Sequence, residues 1–230
     1  MDIKNKLAIV TGASKGIGLA TVKTLLDHGM WVAGWSRSLS NASHPRLKSY
    51  HVDVSDHGSV ERAWEKTVND FEVPPLVLIN NAGLGFEAPL DEISVEKWHV
   101  MMNTNVNGIF YCTRLILPVM KKHQAGHIIN ISSIAGTTGV PNMVGYCATK
   151  HAVKGISSAL YKEVRNHGIK VTCIYPGSVK THFFDAIDSV TANDQMMMPE
   201  DIASTILHCL QASDNYHHVD IEVRPLRPKG

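Results

Sequence analysis

Seven short runs of apolar and β-branched residues recur along the chain, and segments with apolar residues at helical spacing separate them. The runs cover residues 7–11, 31–35, 49–54, 76–80, 127–132, 170–174 and 218–223. Continuous rather than alternating hydrophobicity is typical of strands buried on both faces, and intervening helices are typical of βαβ units. The pattern therefore predicts an α/β fold with a doubly wound parallel sheet of about seven strands and helices on both faces.

The length of 230 residues allows one substantial core, and no repeat or linker divides the chain, so we expect a single domain over residues 1–230. Hydrophobic residues make up 44% and charged residues 19%, a balance typical of folded globular proteins. We predict that the helices begin near the following residues: Gly16, Ser59, Ser94, Tyr146 and Pro199.

The charge balance argues against binding to large anionic partners. Lys and Arg total 22 and Asp and Glu total 21, so we expect neither nucleic acid nor a membrane as a partner. No signal-peptide core and no apolar run of membrane-spanning length occurs. The four cysteines form no C-x-x-C pair, which disfavours a zinc site or a disulfide scaffold and favours the reducing cytoplasm. We interpret most of the 13 histidines as surface residues and expect no metal site.

A glycine-rich turn, T-G-A-S-K-G-I-G from Thr11 to Gly18, joins the first apolar run to a helical pattern. Glycine lets a backbone turn sharply near a phosphate, and the start of the following helix presents free N–H groups to it. The alternative is that the glycines serve packing only. The turn lacks the G-K-[S/T] ending of a nucleoside triphosphate site. The residues expected to cradle a pyrophosphate are Gly12, Ser14, Lys15, Gly16, Ile17 and Gly18.

Three further motifs follow in the chain: N-N-A-G at 80–83, a serine thirteen positions before Y-x-x-x-K, and P-G-x-V-x-T from Pro176 to Thr181. With the glycine turn, their order and spacing resemble those of the short-chain dehydrogenases/reductases. The resemblance extends from Thr11 to Thr181. It implies a Rossmann-type fold and an oxidoreductase that uses a nicotinamide dinucleotide.

The resemblance assigns the catalytic roles. Ser133 would stabilise the substrate oxygen, Tyr146 would exchange a proton with it, and Lys150 would hold the cofactor ribose. Tyr146 and Lys150 share one helix face at a spacing of four, so we expect the ammonium to lower the pKa of the phenol. Asn105 would anchor a proton-relaying water, although an asparagine lies two residues away on each side. Ser132 is an alternative to Ser133, and the family spacing favours Ser133.

The end of the second run reads W-S-R-S and carries no carboxylate, whereas an acidic residue there binds the ribose 2′-hydroxyl of NAD. Arg37 can pair with a 2′-phosphate, Ser36 and Ser38 can donate hydrogen bonds, and Lys15 adds a second cation. The expected cofactor is therefore NADP(H). The alternative is that Arg37 and Lys15 are solvated loop residues.

By resemblance, the remaining cofactor contacts lie in three segments. Asp53 and Val54 would contact the adenine, although Asp53 or Ser55 could instead cap the next helix. The residues lining the rest of the cofactor trough would be Asn81, Ala82, Gly83, Tyr146, Lys150, Pro176, Gly177, Val179 and Thr181. A loop at about 182–198, with Phe183 and a Met-Met-Met run, would shape the substrate site.

These observations predict an NADP(H)-dependent oxidoreductase that acts on a small carbonyl compound or secondary alcohol. Ketoacyl-thioester, sugar or polyol, and pteridine-type reductases remain open, and the chain end departs from the glycine-rich ending of many relatives. A catalytically silent NADP(H)-binding sensor or scaffold is the alternative. Apolar-rich helical segments at 95–121 and 146–164 further predict a homodimer or homotetramer.

Overall fold

A computed structural model of the chain describes residues 2–39, 42–183, 187 and 191–227. The strands are β1 (Leu7–Thr11), β2 (Trp31–Ser36), β3 (Leu47–His51), β4 (Pro75–Asn80), β5 (Gly126–Ile131), β6 (Ile169–Pro176) and β7 (Asp220–Val223). The helices are α1 (Gly16–Asp27), α2 (His57–Asp70), α3 (Val95–Met102), α4 (Gly108–His123), α5 (Val144–Val164) and α6 (Pro199–Gln211). A π-helical turn, Asn103–Asn107, joins α3 to α4.

The described strands form one sheet in the order β3-β2-β1-β4-β5-β6-β7, and every neighbouring pair is parallel. The predicted seven-stranded doubly wound fold is therefore confirmed. The strand order reverses between β1 and β4. In such sheets, ligands bind in the crevice outside the carboxyl ends of the strands at this switch point.

Two hydrophobic cores cover the faces of the sheet. On one face, α1 and α6 pack together against the sheet, with Leu25 and Ile206 fully buried. On the other face, α2, α4 and the end of α5 contribute buried residues such as Val60, Ile116 and Val164. Burial on both faces explains the continuous apolar runs of the central strands.

The third strand and the start of the second helix differ from the prediction. β3 lies at the sheet edge and exposes Lys48 and His51, so its residues lack the apolar pattern of a central strand. The prediction that Asp53 or Ser55 caps α2 is wrong. Asp56 caps this helix by accepting a 3.0 Å hydrogen bond from the Gly58 N–H.

The segment predicted as one helix over 95–121 is three successive helical pieces, because the π turn interrupts the α-helical hydrogen bonding. Within the described ranges, no helix combines the length and the apolar character that a membrane crossing requires. All four cysteines are free and buried.

Candidate active site

The glycine turn between β1 and α1 lies at the switch point of the sheet. Gly12 and Gly16 have φ values of +63° and +54°, in the left-handed region that favours glycine. At Gly18, an added Cβ would lie 2.1 Å from the Gly12 carbonyl oxygen, so only glycine fits there. No side chain caps the start of α1. Its first N–H groups are therefore available to an anionic ligand.

Thr11 and the N-N-A-G loop fix the turn against β4. The Thr11 hydroxyl oxygen accepts hydrogen bonds from the N–H groups of Asn81 and Ala82, both at 3.0 Å. The Asn81 side chain donates to the Thr11 carbonyl at 2.9 Å. Asn80 is buried and donates to Asn130 at 2.8 Å, so its role is structural. Sequence reasoning did not identify Thr11 as a site residue, because its position before Gly12 is the only signal of this role.

At the end of β2, a short network of serines connects the second strand to the glycine turn. Ser36 is buried and donates to the Ser38 carbonyl at 2.7 Å, so its hydroxyl hydrogen is engaged within the loop. Ser38 donates instead to the Ser14 hydroxyl at 3.0 Å. Arg37 and Lys15 are exposed beside this pair. The structure therefore brings two cations and two hydroxyls to one edge of the crevice.

Asp53 and Val54 follow β3 on the same side of the crevice. Burial alone would raise the pKa of Asp53, but hydrogen bonds from Ser55 and the nearby Arg37 charge outweigh it and lower this pKa. The Asp53 carboxylate accepts from the Ser55 N–H at 2.9 Å and from its hydroxyl at 2.7 Å. Asp53 therefore carries a negative charge at neutral pH, while Val54 is buried against Gly108.

Tyr146 lies in the first turn of α5, buried with its side chain next to Ser133. Ser133 caps the short 3₁₀ turn Ile134–Gly136 by accepting from the Ala135 N–H at 3.2 Å. Burial raises the pKa of Tyr146 to about 12, and a hydrogen bond with the Ser133 hydroxyl partly opposes this rise. At neutral pH the phenol is therefore protonated.

Lys150 is buried one helical turn after Tyr146. Its Nζ donates to the Ile131 carbonyl at 2.9 Å and lies 5.6 Å from the centroid of the Tyr146 ring. Burial lowers the pKa of Lys150 to about 8. The expectation that the ammonium lowers the pKa of Tyr146 is wrong for this structure. The cation faces the ring, and burial of the phenol dominates.

The structure distinguishes Ser133 from its neighbour. Ser132 is buried and donates to the Lys150 carbonyl at 3.0 Å, so it braces α5, whereas Ser133 is the serine that reaches Tyr146.

Asn105 is the buried asparagine of the π turn. Its side chain accepts from the Leu84 N–H at 3.0 Å and donates to the Leu84 carbonyl at 2.8 Å and to Thr149 at 3.0 Å. Asn103 and Asn107 bond to each other instead. The Asn105 side chain therefore ties the loop after β4 to α5.

The P-G segment leaves β6 towards the glycine turn. The Gly177 N–H donates to the Val223 carbonyl at 2.8 Å, and Val179 forms a bridge with Met197. Thr181 lies against the turn, because a Cβ added at Gly16 would be 3.3 Å from its methyl group. Of the loop at 182–198, residues 184–186 and 188–190 lie outside the described residues, including Phe184. Pro176 ends β6.

A parallel sheet with a glycine-rich turn at its switch point defines the Rossmann-type class of α/β domain. The sequence profile of the family described as short chain dehydrogenase matches residues 6–191. The chain belongs to this family of oxidoreductases, which confirms the resemblance.

Individual relatives cover nearly the whole chain. An uncharacterized oxidoreductase of Staphylococcus saprophyticus is 32% identical over 98% of this chain and 100% of its own length. The 3-oxoacyl-acyl-carrier-protein reductase FabG of Chlamydia trachomatis is 33% identical, with 92% of each chain covered. The crystal structure of an alcohol dehydrogenase from the archaeon Thermococcus sibiricus, complexed with 5-hydroxy-NADP, has a TM-score of 0.86 at 25% identity. That match covers 99% of this chain and 100% of the archaeal one.

Proposed function

We propose that this chain is an NADP(H)-dependent oxidoreductase that interconverts a small carbonyl compound and a secondary alcohol, with Tyr146 as the acid/base. The observation that carries the proposal is the buried Tyr146 phenol beside the Ser133 hydroxyl and one helical turn from the buried Lys150. A purely binding domain has no chemical need for these three groups in a crevice.

Each group has a separate role in the proposed reaction. The bound nicotinamide supplies or accepts the hydride. During reduction the Tyr146 phenol donates its proton to the carbonyl oxygen, and the Ser133 hydroxyl stabilises the charge on that oxygen. Lys150 would bind the ribose hydroxyls and so hold the nicotinamide next to the phenol. Because the pKa of Tyr146 is about 12, the resting phenol holds the proton that reduction consumes.

The preference for NADP(H) rests on the edge of the crevice at the end of β2. Arg37 and Lys15 supply positive charge, the Ser14–Ser38 pair supplies hydroxyls, and position 36 is a serine rather than an acid. The archaeal alcohol dehydrogenase, solved with 5-hydroxy-NADP, supports this assignment. The adenine would lie beside Asp53 and Val54.

The remaining cofactor contacts are proposed from the placement of their backbones around the crevice. The glycine turn from Gly12 to Gly18 would hold the pyrophosphate. Ala82 and Gly83 would line the trough, and Val179 and Thr181 would hold the nicotinamide carboxamide. The four buried free thiols support a further proposal, that the enzyme works in the reducing cytoplasm.

The test is NADPH oxidation by the unmodified protein and by Tyr146→Phe against diketones, ketoacyl thioesters, aldehydes and keto sugars. The substitution deletes only the proton-donating hydroxyl, so NADPH affinity should persist while turnover falls at least about a hundredfold. NADPH binding without turnover on any carbonyl would favour the sensor or scaffold alternative. Ketoacyl thioesters belong in the panel because FabG of Chlamydia trachomatis is a relative.

A further inference from the structure

An apolar cluster surrounds Tyr146. Its buried members are Met101, Ala135, Tyr146 and Cys147. Five partly buried side chains pack against them: Leu84, Phe86, Ile93, Met143 and Phe183. Partly buried apolar side chains next to a reactive phenol form a wall against which a bound molecule can pack.

Phe183 makes the most direct contact with the reactive residue. Its ring centroid lies 5.2 Å from that of Tyr146, with the ring planes tilted by 48°. Aromatic pairs at this separation attract one another beyond the effect of their buried area. The Phe183 N–H donates to the Thr181 hydroxyl at 3.3 Å, which ties the backbone of Phe183 to the proposed nicotinamide segment.

Gly85 explains how the two rings come together. A Cβ at this position would lie 2.8 Å from Cζ of Phe183 and 3.0 Å from Cδ2 of Tyr146. Gly85 is buried, and its φ angle does not lie in the left-handed region. The glycine is therefore required for space rather than for backbone conformation, and the space it leaves is occupied by the edge of the Phe183 ring.

We propose that Phe183, held on Tyr146 above Gly85, is the specificity-determining wall of the substrate site and selects uncharged carbonyl compounds with an aryl or branched alkyl substituent. This inference rests on the proposed function. A substituent of that kind replaces water on the Phe183 ring, whereas a carboxylate or a row of hydroxyls loses hydration against this wall without gaining partners there. Phe183 acts on substrate choice and leaves the proton transfer to Tyr146.

The experiment measures kcat/KM for NADPH oxidation with an aryl methyl ketone, a branched alkyl ketone, acetone, an α-keto acid and a keto sugar. We expect the unmodified protein to favour the first two substrates. Phe183→Ala should lower the ratio of aryl ketone to acetone about tenfold, whereas Phe183→Tyr, which keeps the ring, should preserve the ratio. The control is Tyr216→Ala, which removes an exposed aromatic ring outside the cluster.

Gly85→Ala provides an independent test through a double-mutant cycle. Alone, it should lower kcat/KM for the aryl ketone at least about tenfold, because the new methyl group displaces the ring. Combined with Phe183→Leu, which removes the closer of the two clashes and leaves the 3.0 Å approach to Cδ2 of Tyr146, it should lower kcat/KM for the aryl ketone by a smaller factor than it does alone. NADPH affinity, measured by fluorescence titration, should stay within about twofold in all variants and reports that they fold.

The outcomes separate the two proposals. An active protein whose ratio of aryl ketone to acetone is unchanged in Phe183→Ala, or which prefers the α-keto acid or the keto sugar, overturns this inference and leaves the proposed function standing. A protein that binds NADPH but reduces none of the carbonyls tested here or in the wider panel overturns the proposed function, and this inference falls with it.

Discussion

Burial acts in opposite directions on the pKa values of Tyr146 and Lys150, because it disfavours the charged form of each group. The phenolate is negative, so burial raises the pKa of Tyr146 to about 12. The ammonium is positive, so the pKa of Lys150 falls to about 8. In the proposed mechanism, the proton donor that carbonyl reduction requires is therefore present at physiological pH.

The pH dependence of the two reaction directions tests this assignment. Alcohol oxidation requires the phenolate, whose fraction rises ~10-fold per pH unit below the pKa, so the oxidation rate should climb steadily from about pH 7 to about pH 10. Carbonyl reduction requires the phenol, so Tyr146 should cause no alkaline decline before the pH approaches its pKa, whereas a decline at about pH 8 would report loss of the Lys150 charge. Paired pH–rate profiles provide the measurement. An oxidation rate that levels off near neutrality would show that the phenol is far more acidic than its burial indicates.

Arg37 offers a residue-level test of cofactor choice. Arg37→Ala removes the proposed charge-assisted bond to the 2′-phosphate. It should reduce the preference for NADPH over NADH about 10- to 100-fold, mainly by weakening the binding of NADPH. Titration of both nucleotides against Arg37→Ala gives the ratio directly. Lys23→Ala, which removes an exposed cation from the middle of α1, is the control and should leave the ratio unaltered. Equal affinity of the unmodified protein for both nucleotides would contradict the NADP(H) assignment.

Much of the placement of the candidate site could be predicted from spacing, because the motifs occupy fixed positions at strand ends. The sequence could not give the sign of the pKa shift at Tyr146, which depends on burial by residues distant in the chain. Nor could it show that Ser36 bonds to the Ser38 carbonyl or that Gly85 makes room for Phe183. Each of these facts requires the folded chain.

At the level of elements, β5 buries a histidine, His127, against Thr172 of β6. Nε2 of His127 contacts the Thr172 hydroxyl at 2.8 Å, while its Nδ1 has no partner among the described residues. Burial, followed by the nearby charges of His217, Lys170 and His218, lowers the pKa of His127 well below its ordinary value. The folded protein therefore holds this ring neutral.

A buried neutral histidine makes stability depend on pH. The unfolded chain takes up a proton below about pH 6.5 and the folded chain does so only at lower pH, so stability is lost as the pH falls below 6.5. Urea unfolding measures this effect. When the pH is lowered from about 7.5 to about 5.5, the free energy of unfolding should fall by about 1 kcal/mol more for the unmodified protein than for His127→Leu. The Thr172 hydroxyl keeps its bond to the His218 carbonyl in that variant.

His123→Leu, at an exposed position of α4, serves as the control and should behave like the unmodified protein. If His127→Leu and the unmodified protein lose the same free energy of unfolding on acidification, the buried ring is not the source of the acid sensitivity.

The elements themselves were largely predictable, since burial on both faces leaves a continuous apolar run in each central strand. The edge strand β3 was placed two residues late because its exposed residues resemble a loop, and the apolar Val52 and Val54 follow the strand. The π turn was not foreseen. Its wider winding is associated with hydrogen bonds from the Asn105 side chain to Leu84 and Thr149, and neither partner is local in the sequence.

At the scale of the whole molecule, the helices beside the crevice leave apolar side chains in contact with solvent. Val95, Val100, Phe110 and Val144 are exposed by 67%, 42%, 53% and 43%. The exposed face of α5 adds small residues, and a Cβ at Gly155 would meet nothing within 4 Å. Apolar surface of this kind on a folded chain favours association, and small residues allow two helices to approach closely.

The association state is therefore the last prediction. Sedimentation of the unmodified protein at micromolar concentration should show a homodimer or homotetramer, because pairing the helices α3 to α5 across a two-fold axis removes these side chains from water. Phe110→Asp places a charge on this face and should shift the protein towards monomer while preserving NADPH binding. Val68→Asp, at an exposed valine of α2, is the control and should leave the assembly intact. A monomeric unmodified protein would contradict the prediction, since the apolar face would then remain in water.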